Sequence, residues 1–251
     1  MTSPRARGDH FSAVSSGYAE FRPHYPRALY DFITSVAPKR VRAWDCGAGN
    51  GQASVDLSET FEHVVASDVS FAQISHAPEH PRLSRVVAAA EAPPIADHCV
   101  DAITVGQALH WFDHPRFYAE VRRVATPGAV MIAWSYAPSS MDGEAGAIHD
   151  RLMFETLRGY WPPERRHVDE KYASIPFPFE RLDAPELRLD EKWPLSQLVG
   201  YMRTWSATAR YQKQHGVDPV LEVERELHAI WGDPEQRRAI AWPMVILAGR
   251  V

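Results

Sequence analysis

The chain has 251 residues, 45% of them hydrophobic, which is enough for one large domain or for a domain with a lid. Its formal net charge of −5 argues against nucleic acid as the main partner, because phosphate groups require a basic face. The two cysteines, Cys46 and Cys99, cannot form a disulfide framework, and no apolar stretch reaches the roughly 18 residues of a membrane span. Residues 1–12 lack the apolar segment of a secretory signal, so we expect a cytoplasmic protein without a membrane partner.

Residues 1–40 are predicted to form an arm followed by a helix. The segment 11–26 is rich in aromatic side chains, and its prolines prevent one long helix there. Pro26 suits the first turn of the helix that follows, in which Leu29 and Ile33 recur at helical spacing.

A glycine turn follows the first predicted strand. The apolar run over residues 41–45 ends in Asp45, and Gly47, Gly49 and Gly51 come at alternate positions before the start of a helix. Glycine has no Cβ, so such a turn lets backbone N–H groups approach a ligand closely. A carboxylate beside the turn would repel a pyrophosphate but suits a ligand with an ammonium group or hydroxyls.

A second acidic residue ends the next predicted strand. Asp68 follows an apolar run over residues 64–67. In nucleotide-binding folds, an acidic residue at this strand end accepts hydrogen bonds from ribose hydroxyls. This position predicts a nucleoside without selecting one cofactor. The alternative is that Asp68 caps the following helix, for which Ser70 is an equally suitable cap.

The third and fourth predicted strands also end in polar segments. Ala90 and Glu91 follow the strand at 84–89, and the segment 107–113 follows the β-branched strand at 99–106. Reacting groups in open α/β sheets lie at the carboxyl ends of strands. His110 is the group in these segments that can move a proton near neutral pH, and we leave open whether it is a general base, a substrate contact or a structural histidine.

Three segments resemble those of one enzyme family. The sequence DCGAGNG at residues 45–51 resembles motif I of the class I S-adenosylmethionine (SAM) dependent methyltransferases, whereas a dinucleotide fingerprint has its third glycine one residue later. YAEFRPHYP at 18–26 and QALHWF at 107–112 resemble segments of the trans-aconitate methyltransferase-like subgroup, also called methyltransferase type 11.

This resemblance implies SAM as cofactor, S-adenosylhomocysteine (SAH) as product, and a set of site residues. The implied cofactor-binding residues are Asp45, Gly47, Gly49, Gly51, Asp68, Ala90, Glu91, Gln107, Tyr18 and Arg22. Trp111 and Tyr25 are the expected substrate contacts, and His110 is the candidate catalytic residue.

The same resemblance implies an α/β fold of the Rossmann-like methyltransferase type. We expect a mostly parallel sheet with helices on both faces and a helical lid inserted before the last strand. The predicted SAM-binding core covers residues 41–135. Residues 136–240 are predicted to form the lid and substrate region, with a core strand near 182–189, and residues 241–251 the final core strand.

The predicted function is methyl transfer from SAM to a small-molecule acceptor by in-line displacement. The resemblance suggests a carboxylate as acceptor. Two alternatives remain at this stage: a nicotinamide-dependent oxidoreductase and a SAM-binding protein without catalysis. We expect no metal, because Pro78 interrupts the His76 and His80 pair and no H-E-x-x-H motif is present.

Overall fold

The computed structural model describes residues 21–251, so the predicted cofactor contact Tyr18 lies outside the described residues. The strands are β1 (Arg42–Cys46), β2 (His63–Asp68), β3 (Leu83–Val87), β4 (Val100–Gly106), β5 (Ala125–Tyr136), β6 (Glu180–Arg181), β7 (Arg188–Trp193) and β8 (Arg238–Arg250). The α-helices are α1 (Arg27–Val36), α2 (Gln52–Ser58), α3 (Phe71–Ile74), α4 (His114–Val124), α5 (Gly143–Arg151), α6 (Arg166–Asp169), α7 (Leu195–Arg203), α8 (Ser206–His215) and α9 (Val220–Trp231).

The central sheet has the strand order β3-β2-β1-β4-β5-β8-β6. The pairs from β3 through β5 are parallel, and β8 joins β5 in antiparallel orientation. Asp45 pairs with Thr104 and Asp68 with Val87, so the carboxyl ends of the parallel strands meet at one edge. This arrangement confirms the predicted α/β fold and brings the predicted motifs together.

Helices cover both faces of the sheet, as its apolar strands require. On β5, Ala129, Met131 and Ala133 pack in the cluster that contains α4, whereas Val130 and Ile132 pack in the cluster that contains α1 and α2. This alternation buries both faces of the strand. Among residues 21–251, no helix has the combined length and apolar character needed to cross a bilayer.

The segment between β5 and β8 has a hydrophobic cluster of its own. Helices α5, α7 and α9 contribute to it together with the indoles of Trp193, Trp205, Trp231 and Trp242. Strand β8 links this cluster to the central sheet. Its first half, 238–243, pairs with β7, and its second half, 244–250, pairs with β5.

The segment predicted as a core strand near 182–189 lies between β6, at the edge of the central sheet, and β7. The regular strand β7 begins at Arg188, and it pairs with the first half of β8 rather than with the parallel strands. Pro185 interrupts the predicted strand, because proline lacks an N–H for the ladder and restricts the residue before it. The final strand also begins earlier than predicted, at Arg238, and continues through Pro243.

Candidate active site

A cavity opens at the carboxyl edge of the parallel strands. The predicted site residues that line it are Arg22, Tyr25, Asp45, Gly47, Gly49, Asp68, Ala90, Glu91, Gln107 and Trp111. Tyr136, at the end of β5, also lines it and was not predicted. We call the part around Asp45, Gly49 and Asp68 the glycine end, and the part around Arg22, Gln107 and Tyr136 the β5 end.

The glycines of the turn all have left-handed backbone conformations. The φ angles are +69° at Gly47, +57° at Gly49 and +79° at Gly51. A Cβ on Gly47 would lie 2.6 Å from the Cβ of Ala108, and one on Gly51 would lie 2.6 Å from the Cβ of Ala77, so packing also excludes side chains there. Gly51 does not line the cavity, whereas the space beside Gly49 is open to it.

Asp45 is a buried carboxylate at the end of β1. Its oxygens accept hydrogen bonds from the hydroxyls of Ser54, at 2.5 Å, and Thr104, at 3.0 Å. Burial raises the pKa of Asp45 to about 6; the two hydrogen bonds oppose this shift, and the negative charge of Asp68 contributes a smaller part of it. The glycine end therefore contains an acid that a cationic ligand would ionise.

Asp68 organises the backbone of the glycine turn. Its carboxylate accepts the N–H of Gly49 at 2.9 Å and the N–H of Ser70 at 2.8 Å. The cap of α3 is the hydroxyl of Ser70, which accepts the N–H of Gln73, so Asp68 is not the helix cap. Burial raises the pKa of Asp68, although both backbone hydrogen bonds oppose the shift.

Glu91 connects the loop after β3 to the loop after β4. Its Oε1 accepts the backbone N–H of Asp113 at 2.8 Å, and Asp113 in turn accepts the N–H of Arg116 at the start of α4. Ala90 is buried beside it. The hydrogen bond fixes this side of the cavity wall without occupying the other oxygen of Glu91.

Arg22 joins the N-terminal segment to the segment after β5. Its guanidinium donates to the hydroxyl of Tyr136 at 2.8 Å and to the carbonyl of Thr204 at 3.4 Å, and it lies over the ring of Tyr201. Among the described residues that line the cavity, Arg22 is the cationic one. Nearby, Tyr25 packs edge-on against Trp134 with ring centroids 5.4 Å apart.

Gln107 follows β4 in an unusual backbone conformation, with φ of +58°. Its N–H donates to the carbonyl of Trp134 at 2.9 Å, and its Oε1 accepts from the hydroxyl of Ser135 at 2.9 Å. Sequence reasoning missed Ser135 and Tyr136. Their position directly after the apolar run over residues 129–134 is the signal that could have indicated them.

His110 does not line the cavity, although its neighbour Trp111 does. Its Nδ1 lies 3.4 Å from the hydroxyl of Tyr172, and its ring packs against those of Trp111 and Tyr172. Burial, with smaller contributions from the neighbouring His167 and His114, lowers the pKa of His110 to about 3. The imidazole is therefore neutral at physiological pH.

The described residues contain no group of three or more His, Cys, Asp or Glu side chains arranged to hold a metal ion. The groups at the cavity are instead backbone N–H donors, carboxylate acceptors and aromatic rings. This set suits an organic cation with hydroxyl groups, which is the chemistry of an adenosylated amino acid.

Comparisons with known proteins agree on one family. The methyltransferase domain model matches residues 44–133. A candidate methyltransferase of Dictyostelium discoideum is 34% identical over 231 residues, covering 90% of this chain and 88% of that protein. A solved structure of a candidate type II methyltransferase from Anaeromyxobacter dehalogenans is 47% identical, with a TM-score of 0.86 over 92% of this chain and 98% of that one.

A third relative has a named acceptor. The malonyl-[acyl-carrier protein] O-methyltransferase of Methylococcus capsulatus is 30% identical over 195 residues, covering 72% of this chain and 69% of that protein. The glycine turn, the strand-end acids and these similarities together show that the chain belongs to the class I SAM-dependent methyltransferase family.

Proposed function

We propose that the chain binds SAM at the glycine end of the cavity and transfers its methyl group to a small-molecule acceptor bound at the β5 end. The proposal rests on one observation: the glycine turn, Asp45 and Asp68 all line one cavity at the carboxyl edge of the sheet. Family membership makes methyl transfer the activity to expect of this cavity.

The glycine end fits SAM. The open space beside Gly49 is a place that a Cβ would fill, so a ligand can approach the backbone there. Asp45 and Asp68 supply negative charge for a cationic cofactor, and Asp68 retains lone pairs for ribose hydroxyls. Ala90 and Glu91 would border the adenine, and Tyr18 is proposed to cover the cofactor, whereas Arg22, predicted as a cofactor contact, lies at the β5 end.

SAM supplies, when bound, a methyl group activated by its cationic sulfonium. The residues of this chain position the acceptor, exclude water and hold the two reactants in line, and such positioning is worth several kcal/mol. Trp111 and Tyr25 provide apolar and aromatic walls on which an acceptor can pack. Arg22 supplies the positive charge that attracts an anionic acceptor.

We propose an oxygen acceptor, with a carboxylate as the best match. A carboxylate is already ionised at neutral pH, so it needs a cation for orientation but no general base. The neutral, poorly basic His110 fits a role in holding Trp111 in the cavity wall better than a role in proton transfer. The relative named as an O-methyltransferase supports an oxygen acceptor.

We further propose that residues 136–240 act as the lid that determines acceptor choice. Arg22 reaches both Tyr136 and the Thr204 carbonyl, so this segment contacts the β5 end directly. Loops and inserted segments commonly carry specificity on a conserved scaffold. The proposed core is residues 41–135 with the final strand, as expected from the sequence.

Calorimetric titrations with SAM, SAH and NADH test the cofactor assignment. We expect SAM and SAH to bind and NADH not to bind, because the third glycine comes early and the acids at the glycine end repel a pyrophosphate. Binding of NADH in the absence of SAM binding would contradict the proposal and favour an oxidoreductase.

A further inference from the structure

We propose that the side-chain amide of Gln107 donates a hydrogen bond to the carboxylate of the methyl acceptor, at the end of the cavity that also holds the guanidinium of Arg22. This inference rests on the proposed function and deepens it, because it names the residue that recognises the acceptor and the chemical class it recognises. The sequence predicted Gln107 only as a cofactor contact. The structure assigns its side chain to the opposite end of the cavity.

The first argument is the direction of the side chain. β4 lies between β1, which carries the glycine turn, and β5. The Oε1 of Gln107 accepts from the hydroxyl of Ser135, which is fully buried at the end of β5. The side chain therefore extends toward β5 and away from the glycine turn.

The second argument is an unused donor. The Nε2 of Gln107 is buried and has no hydrogen-bond partner among the described residues, although Gln107 lines the cavity. A buried N–H without a partner is costly, and native proteins satisfy nearly all such groups. Because the Ser135 hydroxyl donates to Oε1, Nε2 is the group of the amide that remains available to donate a hydrogen bond. The missing partner is therefore a hydrogen-bond acceptor on a ligand.

The third argument is backbone strain at the same residue. Gln107 has a φ of +58°, a conformation that residues other than glycine rarely adopt. Such conformations cost roughly 1–3 kcal/mol and persist where the surrounding structure enforces them, commonly at binding sites. Here the bond from the Gln107 N–H to the Trp134 carbonyl holds the conformation.

The fourth argument is the distribution of charge along the cavity. Asp45 and Asp68 lie at the glycine end, whereas Arg22 lies at the β5 end, hydrogen-bonded to Tyr136. Tyr136 follows Ser135 directly in β5, and successive side chains of a strand leave opposite faces, so the Gln107 amide and the guanidinium are anchored on opposite faces of the end of β5. An N–H donor and a cation at one end of the cavity match an anionic oxygen, and charge-assisted hydrogen bonds are the stronger kind.

The experiment uses the full chain saturated with SAH and titrates it calorimetrically with malonate, citrate and trans-aconitate. Q107E keeps an oxygen that can accept from Ser135 and replaces the donor with a negative charge. We expect Q107E to weaken carboxylate binding by about ten- to hundredfold, the loss that corresponds to one charge-assisted hydrogen bond, with SAH affinity unchanged.

Q107N guards against a folding defect. Asparagine adopts positive φ more readily than glutamine does, so Q107N lowers the backbone strain at position 107. It is one methylene shorter and cannot both reach Ser135 and present the donor, so we expect it to lose carboxylate affinity as well. Q212E, an identical charge change on the exposed surface of α8, should keep wild-type values.

The outcomes separate the two proposals. Failure of the wild-type chain to bind SAH would overturn the proposed function and this inference with it. Two outcomes with normal SAH binding would overturn the inference alone. In the first, no carboxylate binds at millimolar concentrations; in the second, the wild type and Q107E have equal carboxylate affinity. An equal loss of SAH and carboxylate affinity in Q107E would show that Gln107 contacts the cofactor, and it would also overturn the inference.

Discussion

At the glycine end of the cavity the backbone does most of the positioning, whereas at the β5 end side chains do. Left-handed glycines and the N–H groups held by Asp68 shape the first region. Arg22, Gln107 and Tyr136 shape the second through side-chain hydrogen bonds. A site that is shaped by the backbone suits a cofactor that many enzymes share. A site that is shaped by side chains can change by substitution to fit a different acceptor. The following predictions separate the two regions.

The largest effect should come from Gly49→Val at the glycine end. A branched side chain would fill the open space beside Gly49, and its φ of +57° would add strain of about 1–2 kcal/mol. We expect no detectable SAM binding by calorimetry. Gly216→Val is the matched control, since Gly216 has a φ of +72° with no atom close to a Cβ, and it does not line the cavity. Normal SAM binding by Gly49→Val would refute the placement of the cofactor.

Asp68→Ala should have the next largest effect. It removes the acceptor of the Gly49 and Ser70 N–H groups and of the proposed ribose hydroxyls. We expect SAM affinity to fall by about 1–3 kcal/mol, the cost of lost hydrogen bonds to a charged group. Calorimetry measures this directly. Unchanged affinity would remove Asp68 from the cofactor site.

A pH titration should show the contribution of Asp45. Its pKa is raised from 3.8 to about 6. In the unliganded chain, the contribution of Asp45 to the free energy of unfolding is therefore lost as the pH rises through that range. A cationic cofactor favours the ionised form, so SAM affinity should instead increase with pH, by about tenfold between pH 5 and pH 7. Asp45→Asn should flatten this dependence. A wild-type affinity independent of pH would contradict the assignment.

The smallest effect should come from the ring of His110. His110→Ala should lower turnover more than SAM affinity, because Trp111 loses the ring that supports it in the cavity wall. His110→Phe, which keeps a ring, should restore most of the turnover. A general base would not be rescued by phenylalanine, so equally low turnover in both variants would argue for proton transfer.

The sequence predicted the parallel sheet and the glycine end because local patterns determine them. The spacing of the glycines and the strand-end position of Asp68 are properties of short segments. The β5 end depends on contacts between distant segments, such as Arg22 with Tyr136, which one sequence does not display.

Two other features escaped prediction for physical reasons. The left-handed φ of Gln107 carries no local signal, because glutamine is not a residue that favours it. The core strand predicted near 182–189 spans Pro185, which has no N–H to donate to a ladder, so the regular strand β7 begins only at Arg188 and pairs with β8. The predicted roles of His110, Trp111 and Tyr25 stay predictions.

The most direct test of the account uses SAM labelled on its methyl group, incubated with the chain and a panel of small di- and tricarboxylates, phenols and amines. The product is then treated with mild base. The account predicts label transferred to a carboxylate and released as methanol, the behaviour of a methyl ester. Transfer that is stable to base, or transfer only to phenols or amines, would contradict a carboxylate acceptor at the β5 end.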